Sequence, residues 1–387
     1  MKASPGGASD VVVVGGGLIG LAVAWRAARD GMSVAVCDPA IGQGASWAAA
    51  GMLGTTTEAR WGEGPLHALL RASAVAWPEF AAELEAESGL EVGLRRDGML
   101  TVALDADDHR ALLEALDVQR RLGGEAEELS GRDCRALEPS LSPRAVAGLL
   151  HPGDHQVDNR LVVRALRAVL VRRGVRLCPQ AVRQLRISPA HGVHQAVLES
   201  GEALPGGRFV LAAGCHSAQV GGLPPEDVPP VRPVKGQILR LRSPGRQVLA
   251  RTVRVPYQGR DIYIVPRATG EIVVGATVEE AGFDTTVTAG AVFDLLRRAV
   301  TAVPELAEVE LSEAIARLRP GSPDNGPILG PAVTPGLLLA TGHFRHGVLL
   351  TPVTAEALGD ALAGRPVSGP AAAFCSARFR DGALCHG

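Results

Sequence analysis

The sequence has no stretch suited to a membrane. Its only long apolar run, Val11 to Trp25, holds 15 uncharged residues dense in glycine, short of the roughly 18 to 20 that a bilayer-crossing helix needs. That run follows Asp10 and not a basic segment, so no signal peptide is expected, and the first nine residues read as a disordered tail. Charge of one sign is also missing. Lys and Arg number 39 against 41 Asp and Glu, a net charge of -2, which gives no footing for a polyanion and excludes nucleic acid as a partner. The six cysteines, Cys37, Cys134, Cys178, Cys215, Cys375 and Cys385, form no C-x-x-C pair and have no histidine at ligand spacing. Neither a metal site nor a disulfide framework is expected, and a reducing cytoplasm fits best.

What the sequence does have is glycine and proline, 47 and 27 residues, with no repeat or low-complexity block. They punctuate turns and loops. A length of 387 residues suits two domains sharing one chain.

The most informative pattern is Val11-Val12-Val13-Val14, an apolar strand, followed by Gly15-Gly16-Gly17-Leu18-Ile19-Gly20 and a helix-like stretch to Asp30. Gly15, Gly17 and Gly20 satisfy G-x-G-x-x-G. The first glycine makes a tight turn, the second lets backbone approach a pyrophosphate, and the third allows close helix-sheet packing. The helix N-terminus around Leu18 and Ile19 then faces phosphate. A second strand, Ser33 to Cys37, ends at Asp38, about twenty residues on, where a carboxylate accepts ribose hydroxyls. A dinucleotide is expected, and this motif alone leaves NAD and FAD open.

Beyond Asp38 runs Gly42-Gln43-Gly44-Ala45-Ser46-Trp47-Ala48-Ala49-Ala50-Gly51-Met52-Leu53, small residues suited to backbone lying against a flat ligand. Here the chain resembles the D-amino-acid oxidase superfamily, and the thiamine-pathway glycine oxidases within it. The resemblance implies that Ala49, Ala50, Gly51 and Met52 run beside the flavin ring of FAD and that the Ser46 hydroxyl faces the pyrophosphate. It implies that Val182 meets the adenine through its backbone, and that the strand Phe209 to Ala213, ending at Gly214, crosses near the phosphates. The strand Leu337 to Thr341, the turn Gly342-His343-Phe344-Arg345-His346-Gly347 and a helix from Val348 to Ala363 form a second strand-glycine-helix unit. In this family that helix N-terminus points at the flavin, where reduction places negative charge. Non-covalent FAD is therefore the expected cofactor, with Gly342, His343, Phe344, His346, Gly347 and Val348 beside it.

Residues 223 to 311 change character, with a proline-rich entry and a clear hairpin from Ile262 to Pro266 and from Ile272 to Thr277. Thr288 is placed to cap a helix that Pro304 stops. The fold class expected is α/β with an α+β substrate domain: a Rossmann-like FAD-binding domain (1–88, 143–222 and 312–387) interleaved with an antiparallel-sheet substrate domain (89–142 and 223–311). The stretch Arg319-Pro320-Gly321-Ser322-Pro323-Asp324 matches the glycine-oxidase pattern. The resemblance then implies that Arg319 and Tyr263 hold the substrate carboxylate and that Arg345 is a second arginine near the same pocket. Ile315 and Arg317 depart from the family pattern, as does His346 where asparagine is common. The expected activity is oxidative deamination of a small amino acid, glycine foremost, with dioxygen as co-substrate. N-substituted glycines, D-amino acids, a specialised-metabolism amine and a dehydrogenase remain alternatives, and homo-oligomerisation is left open.

Overall fold

A computed structural model of the 387-residue chain describes residues 7–257 and 260–379. Residues 1–6 of the expected tail lie outside the described residues, and the first strand already begins at Ser9. Among the described residues no helix is long and apolar enough to cross a membrane.

Two eight-stranded sheets carry the architecture. In the first, strand Ser9–Val14 is central and pairs in parallel with Val34–Cys37 on one side and Ala203–Leu211 on the other. Arg176–Cys178 and Leu337–Thr341 extend it, again in parallel. A parallel strand buried on both faces needs a continuous apolar run, and Val11, Val12 and Val13 are fully buried. Helices Leu18–Arg29, Asn159–Arg172 and Thr351–Leu362 pack on one face, together with Gly64–Ser88. The meander Val182–Ser188 and Gly192–Leu198 covers the other.

The second sheet runs Glu310–Gly321, Arg232–Arg242, Glu271–Gly275, Arg260–Pro266, Thr252–Tyr257, Met99–Ala103, Ala147–His151 and Glu127–Ser130. All its pairings are antiparallel except Thr252–Tyr257 with Met99–Ala103. Alternation sorts its two faces. Ile262 and Ile264 face the helix Ala289–Ala302, which buries Leu295 and Ala299 against them. Thr288 caps that helix, its side chain accepting from the Ala291 N–H. Tyr263 and Val265 face the other way, toward Trp47, Ala48 and Ala50 of the first sheet's loops. The sheet reaches further along the chain than the sequence suggested. Ala147–His151 and residues 312–321 of Glu310–Gly321 pair here, although 143–222 and 312–387 were expected with the other unit. Long-range pairing decided both, and the local pattern of either strand carries no record of it.

A further difference concerns cysteine. Cys375 is disulfide-bonded, although the cysteine spacing argued against a disulfide framework, while Cys37, Cys134, Cys178 and Cys215 are free and buried.

Candidate active site

Between the sheets lies a cavity of about 910 Å³. The glycine turn forms one end of it. Gly15 has φ +109°, and a Cβ there would overlap the Ala212 carbonyl. A Cβ on Gly20 would overlap the Gly15 carbonyl oxygen, so Gly20 serves the helix-strand approach and does not itself line the cavity. Gly17 is different. A Cβ there meets only the Ser46 hydroxyl, at 3.2 Å, on the side that opens into the cavity. Ser46 Oγ accepts from the Leu18 N–H at 2.8 Å, which ties the loop to the first turn of the helix. Asp38 is fixed by its own turn, accepting from the Gly16 N–H and the Ala40 N–H, each at 2.7 Å. Leu18, Ile19, Val182 and Gly214, the last with φ +56°, complete this end.

Ala49, Ala50, Gly51 and Met52 form a flat wall of the cavity. Gly51 has φ +71°, and a Cβ would overlap the Val157 carbonyl. Two buried arginines that belong to no sequence motif hold this backbone. Arg267 donates to the Ala50 carbonyl at 2.6 Å and the Val157 carbonyl at 2.9 Å, and Arg240 donates to the Trp47 carbonyl at 3.1 Å. Each satisfies carbonyls that a chain packed this tightly cannot turn toward water.

The C-terminal turn forms the opposite wall. Gly342 takes φ +74° and Phe344 φ +45°, and the Phe344 N–H donates to the Pro320 carbonyl at 2.9 Å. His343, Phe344, Arg345, Gly347 and Val348 line the cavity, whereas Gly342 and His346 stand behind that lining. Burial pushes His343 down to about 3 and His346 to about 4, so both rings are neutral near pH 7. His343 Nε2 lies 3.0 Å from Thr354 Oγ1 in the following helix. The helix begins at Thr351, with Pro352 in its first turn, where no backbone donor is lost.

Tyr263, Arg319 and Arg345 come together at the far end. Arg319 donates to the Thr277 carbonyl at 3.1 Å, and its guanidinium lies beside the Tyr263 side chain. Burial raises the Tyr263 phenol above its ordinary value, so it stays protonated. The guanidinium of Arg319 lies over Gly236 and the Tyr263 hydroxyl over Gly275. Two further groups, absent from the sequence reading, share this end. Glu58 accepts from Arg254 Nη1 at 2.5 Å and sits 3.7 Å from Arg345 Nε. Burial alone would raise Glu58, but the adjacent cations, Arg254 foremost, hold it down at about 2. Asp154 sets the loop that presents it, accepting from the N–H groups of Thr55, Thr56 and Thr57 at 2.9, 3.0 and 2.7 Å. Burial lowers the Arg345 guanidinium, whose Nε and Nη2 have no hydrogen-bond partner.

The cavity thus joins the glycine turn to a wall of small residues and to an end lined by Tyr263, Arg254, Arg319, Arg345 and Glu58. Residues 10–361 match the family model described as FAD dependent oxidoreductase. The chain belongs to that family. The cradle fits FAD: Gly17 leaves the backbone open to a phosphate, Gly15 and Gly20 hold the turn and helix that present it, and the small-residue wall leaves room for a planar ring. This FAD-dependent oxidoreductase is similar to the glycine oxidase of Geobacillus kaustophilus, 31% identical over 354 residues, covering 91% of this chain and 92% of that protein. The crystal structure of a glycine oxidase from the same organism superposes with a TM-score of 0.87, at 30% identity over 96% of this chain and 99% of that one. The bifunctional protein ThiO/ThiG of Synechocystis sp. is 33% identical over 373 residues, 96% of this chain. The chain spans only 54% of that longer relative.

Proposed function

We propose that this oxidoreductase deaminates a small amino acid oxidatively, glycine foremost, in the role that thiamine-pathway glycine oxidases fill. The reaction takes glycine, dioxygen and water to glyoxylate, ammonia and hydrogen peroxide. The α-carbon and the amine together give up two electrons and two protons, and dioxygen takes them up as peroxide. FAD, when bound, supplies the two-electron acceptor. The first sheet with its helices serves as the cofactor unit and the second sheet as the substrate unit.

The observation that carries this reading is the Arg319–Tyr263 pair at the end of the cavity away from the glycine turn. A guanidinium with a planar donor fork and a protonated phenol suit a carboxylate, which accepts from both. Held there, the substrate has its α-carbon oriented along the small-residue wall, and orientation of this kind supplies a large part of the rate. The proposed chemistry needs no obligatory side-chain base once position and charge are set, and His343 and His346 are neutral and buried. Arg345, which lines the same cavity beside Glu58, carries donors without a hydrogen-bond partner. They favour, as a second reading, an N-substituted glycine whose substituent ends in an acceptor group.

An anaerobic panel of glycine, N-methylglycine, N-(carboxymethyl)glycine and D-alanine, followed by admission of air, tests the proposal. Bleaching of the flavin by glycine and stoichiometric peroxide on reoxidation support it. A flavin that stays oxidised with every member of the panel contradicts it.

A further inference from the structure

Cys37 and Cys178 occupy directly paired positions on neighbouring parallel strands. Both lie, as free thiols, inside the apolar layer that also contains Val182. Neighbouring strands run roughly 4.8 Å apart, which is inside the 4.4 to 6.8 Å window of Cα separations that a disulfide spans. Cys37 lines the cavity at the end formed by Asp38, Pro39, Ala181 and Val182. No step of the proposed reaction uses either thiol.

We propose that Cys37 and Cys178 are a peroxide-sensitive dithiol that closes to a disulfide when the cofactor is absent and thereby weakens the adenosine end of the FAD site. The two residues differ in access: Cys37 lines the cavity and Cys178 stands behind it. The charge of Arg176 favours the thiolate form at this pair. Cys37 is therefore the thiol that meets peroxide, as its thiolate. Its sulfur displaces hydroxide from hydrogen peroxide and becomes a sulfenic acid. The Cys178 sulfur then attacks the Cys37 sulfur, the S–S bond forms, and water leaves. Two thiols lose two electrons and two protons, and peroxide is reduced to two waters.

The coupling to cofactor binding follows from the backbone. The Cys37 carbonyl accepts from the Gly15 N–H at 2.8 Å, and the Asp38 N–H donates to the Cys178 carbonyl at 3.0 Å. Disulfide Cβ atoms lie about 3.5 to 4.5 Å apart, closer than roughly 4.8 Å strand spacing allows without movement. Closure draws together the ends of the two strands, where Gly15 and Asp38 are fixed. Bound adenosine would cover Cys37, so the holoenzyme is the protected form.

The source of peroxide rests on the proposed oxidase reaction. The test supplies peroxide from outside, so its failure leaves the substrate reading untouched. Full-length protein is exposed to hydrogen peroxide with saturating FAD and, separately, after FAD removal, then alkylated and digested without reduction. The expected result is a linked Cys37–Cys178 peptide pair in the FAD-free sample alone. FAD affinity by flavin fluorescence should fall about tenfold or more and return on treatment with dithiothreitol. Cys178→Ser protein should show neither the link nor the dithiol-reversible loss. Persistence of both free thiols, a link without change in FAD affinity, or equal oxidation of Cys134 and Cys215 would each overturn the proposal.

Discussion

Arg319 and Tyr263 meet across two intervening strands of one sheet, and the residues beneath their side chains on those strands are both glycine. Arg319 lies on strand Glu310–Gly321 and Tyr263 on Arg260–Pro266, with Arg232–Arg242 and Glu271–Gly275 between them. Gly236 leaves space for the guanidinium and Gly275 for the hydroxyl. The space around this pair is therefore shaped by two missing side chains as much as by the two present.

Gly236→Ala and Gly275→Ala should consequently injure substrate binding and spare the cofactor. The atoms that a new Cβ would meet are the ends of the Arg319 and Tyr263 side chains and not backbone, so the fold survives while the donors move. Losing well-aligned charge-assisted hydrogen bonds is worth roughly 1.5 to 3 kcal/mol, so half-saturation for a carboxylated substrate should rise about tenfold or more. Flavin content per protein, read by absorbance, should stay at the wild-type level.

The three glycines of the nucleotide turn should fail in different ways. Gly20→Ala sets a Cβ against the Gly15 carbonyl inside the helix-strand contact and should lower thermal stability markedly. Gly17→Val should leave a folded protein with little or no yellow colour, because its new atoms project toward the Ser46 hydroxyl and the cavity. Circular dichroism melts and flavin absorbance together separate the two. A fully flavinylated Gly17→Val protein would remove this loop from the phosphate site.

Acid should act on the fold through the buried histidines before it reaches the carboxylates. His346 titrates near 6.5 when unfolded and is held at about 4 in the fold by burial, and His343 at about 3. Between pH 6.5 and these values the unfolded chain binds more protons, so stability present above pH 6.5 is lost as pH falls through the window. Glu58, ordinarily at 4.5 and held at about 2, adds a second loss below pH 4.5 with the same sign. The melting temperature should decline from pH 6.5 toward 4, and His346→Asn should flatten that decline. An unchanged slope in His346→Asn would show that this ring is not a source of it.

The flavin should be held without a covalent bond. No cysteine lies between Cys215 and Cys375 in the sequence, so the C-terminal loop offers no thiol for attachment. Acid precipitation should release all the flavin to the supernatant, and colour retained in the pellet would contradict this.

Much of the cofactor end was legible because glycine chemistry is local. A tight turn, a close backbone approach and a helix start write themselves into consecutive residues, and Gly15, Gly17, Gly20 and Asp38 could be read at once. The same holds for the hairpin that carries Tyr263 and for the Thr288 cap. Glu58 and Arg254 were invisible for the opposite reason: their ion pair joins residues 196 positions apart, and neither sits in a motif. Arg240 and Arg267 look like ordinary strand arginines until the fold brings the Trp47 and Ala50 carbonyls to them. Arg317 departs from the family pattern, and the structure gives it a role that spacing does not encode. It lines the cavity and donates to the Gln43 carbonyl at 2.9 Å, linking the second sheet to the loop before Ser46.

The central claim is that Arg319 receives the substrate carboxylate, and anaerobic flavin reduction by glycine in wild type and in Arg319→Ala tests it most directly. Oxygen chemistry is absent from that measurement, and the glycine turn proposed to anchor FAD is separate from the altered residue. Losing the charge-assisted bonds, roughly 1.5 to 3 kcal/mol, should raise the half-saturating concentration about ten- to a hundredfold, with flavin content unchanged and lysine restoring only part. An Arg319→Ala protein that reduces its flavin with wild-type half-saturation and rate would contradict the account.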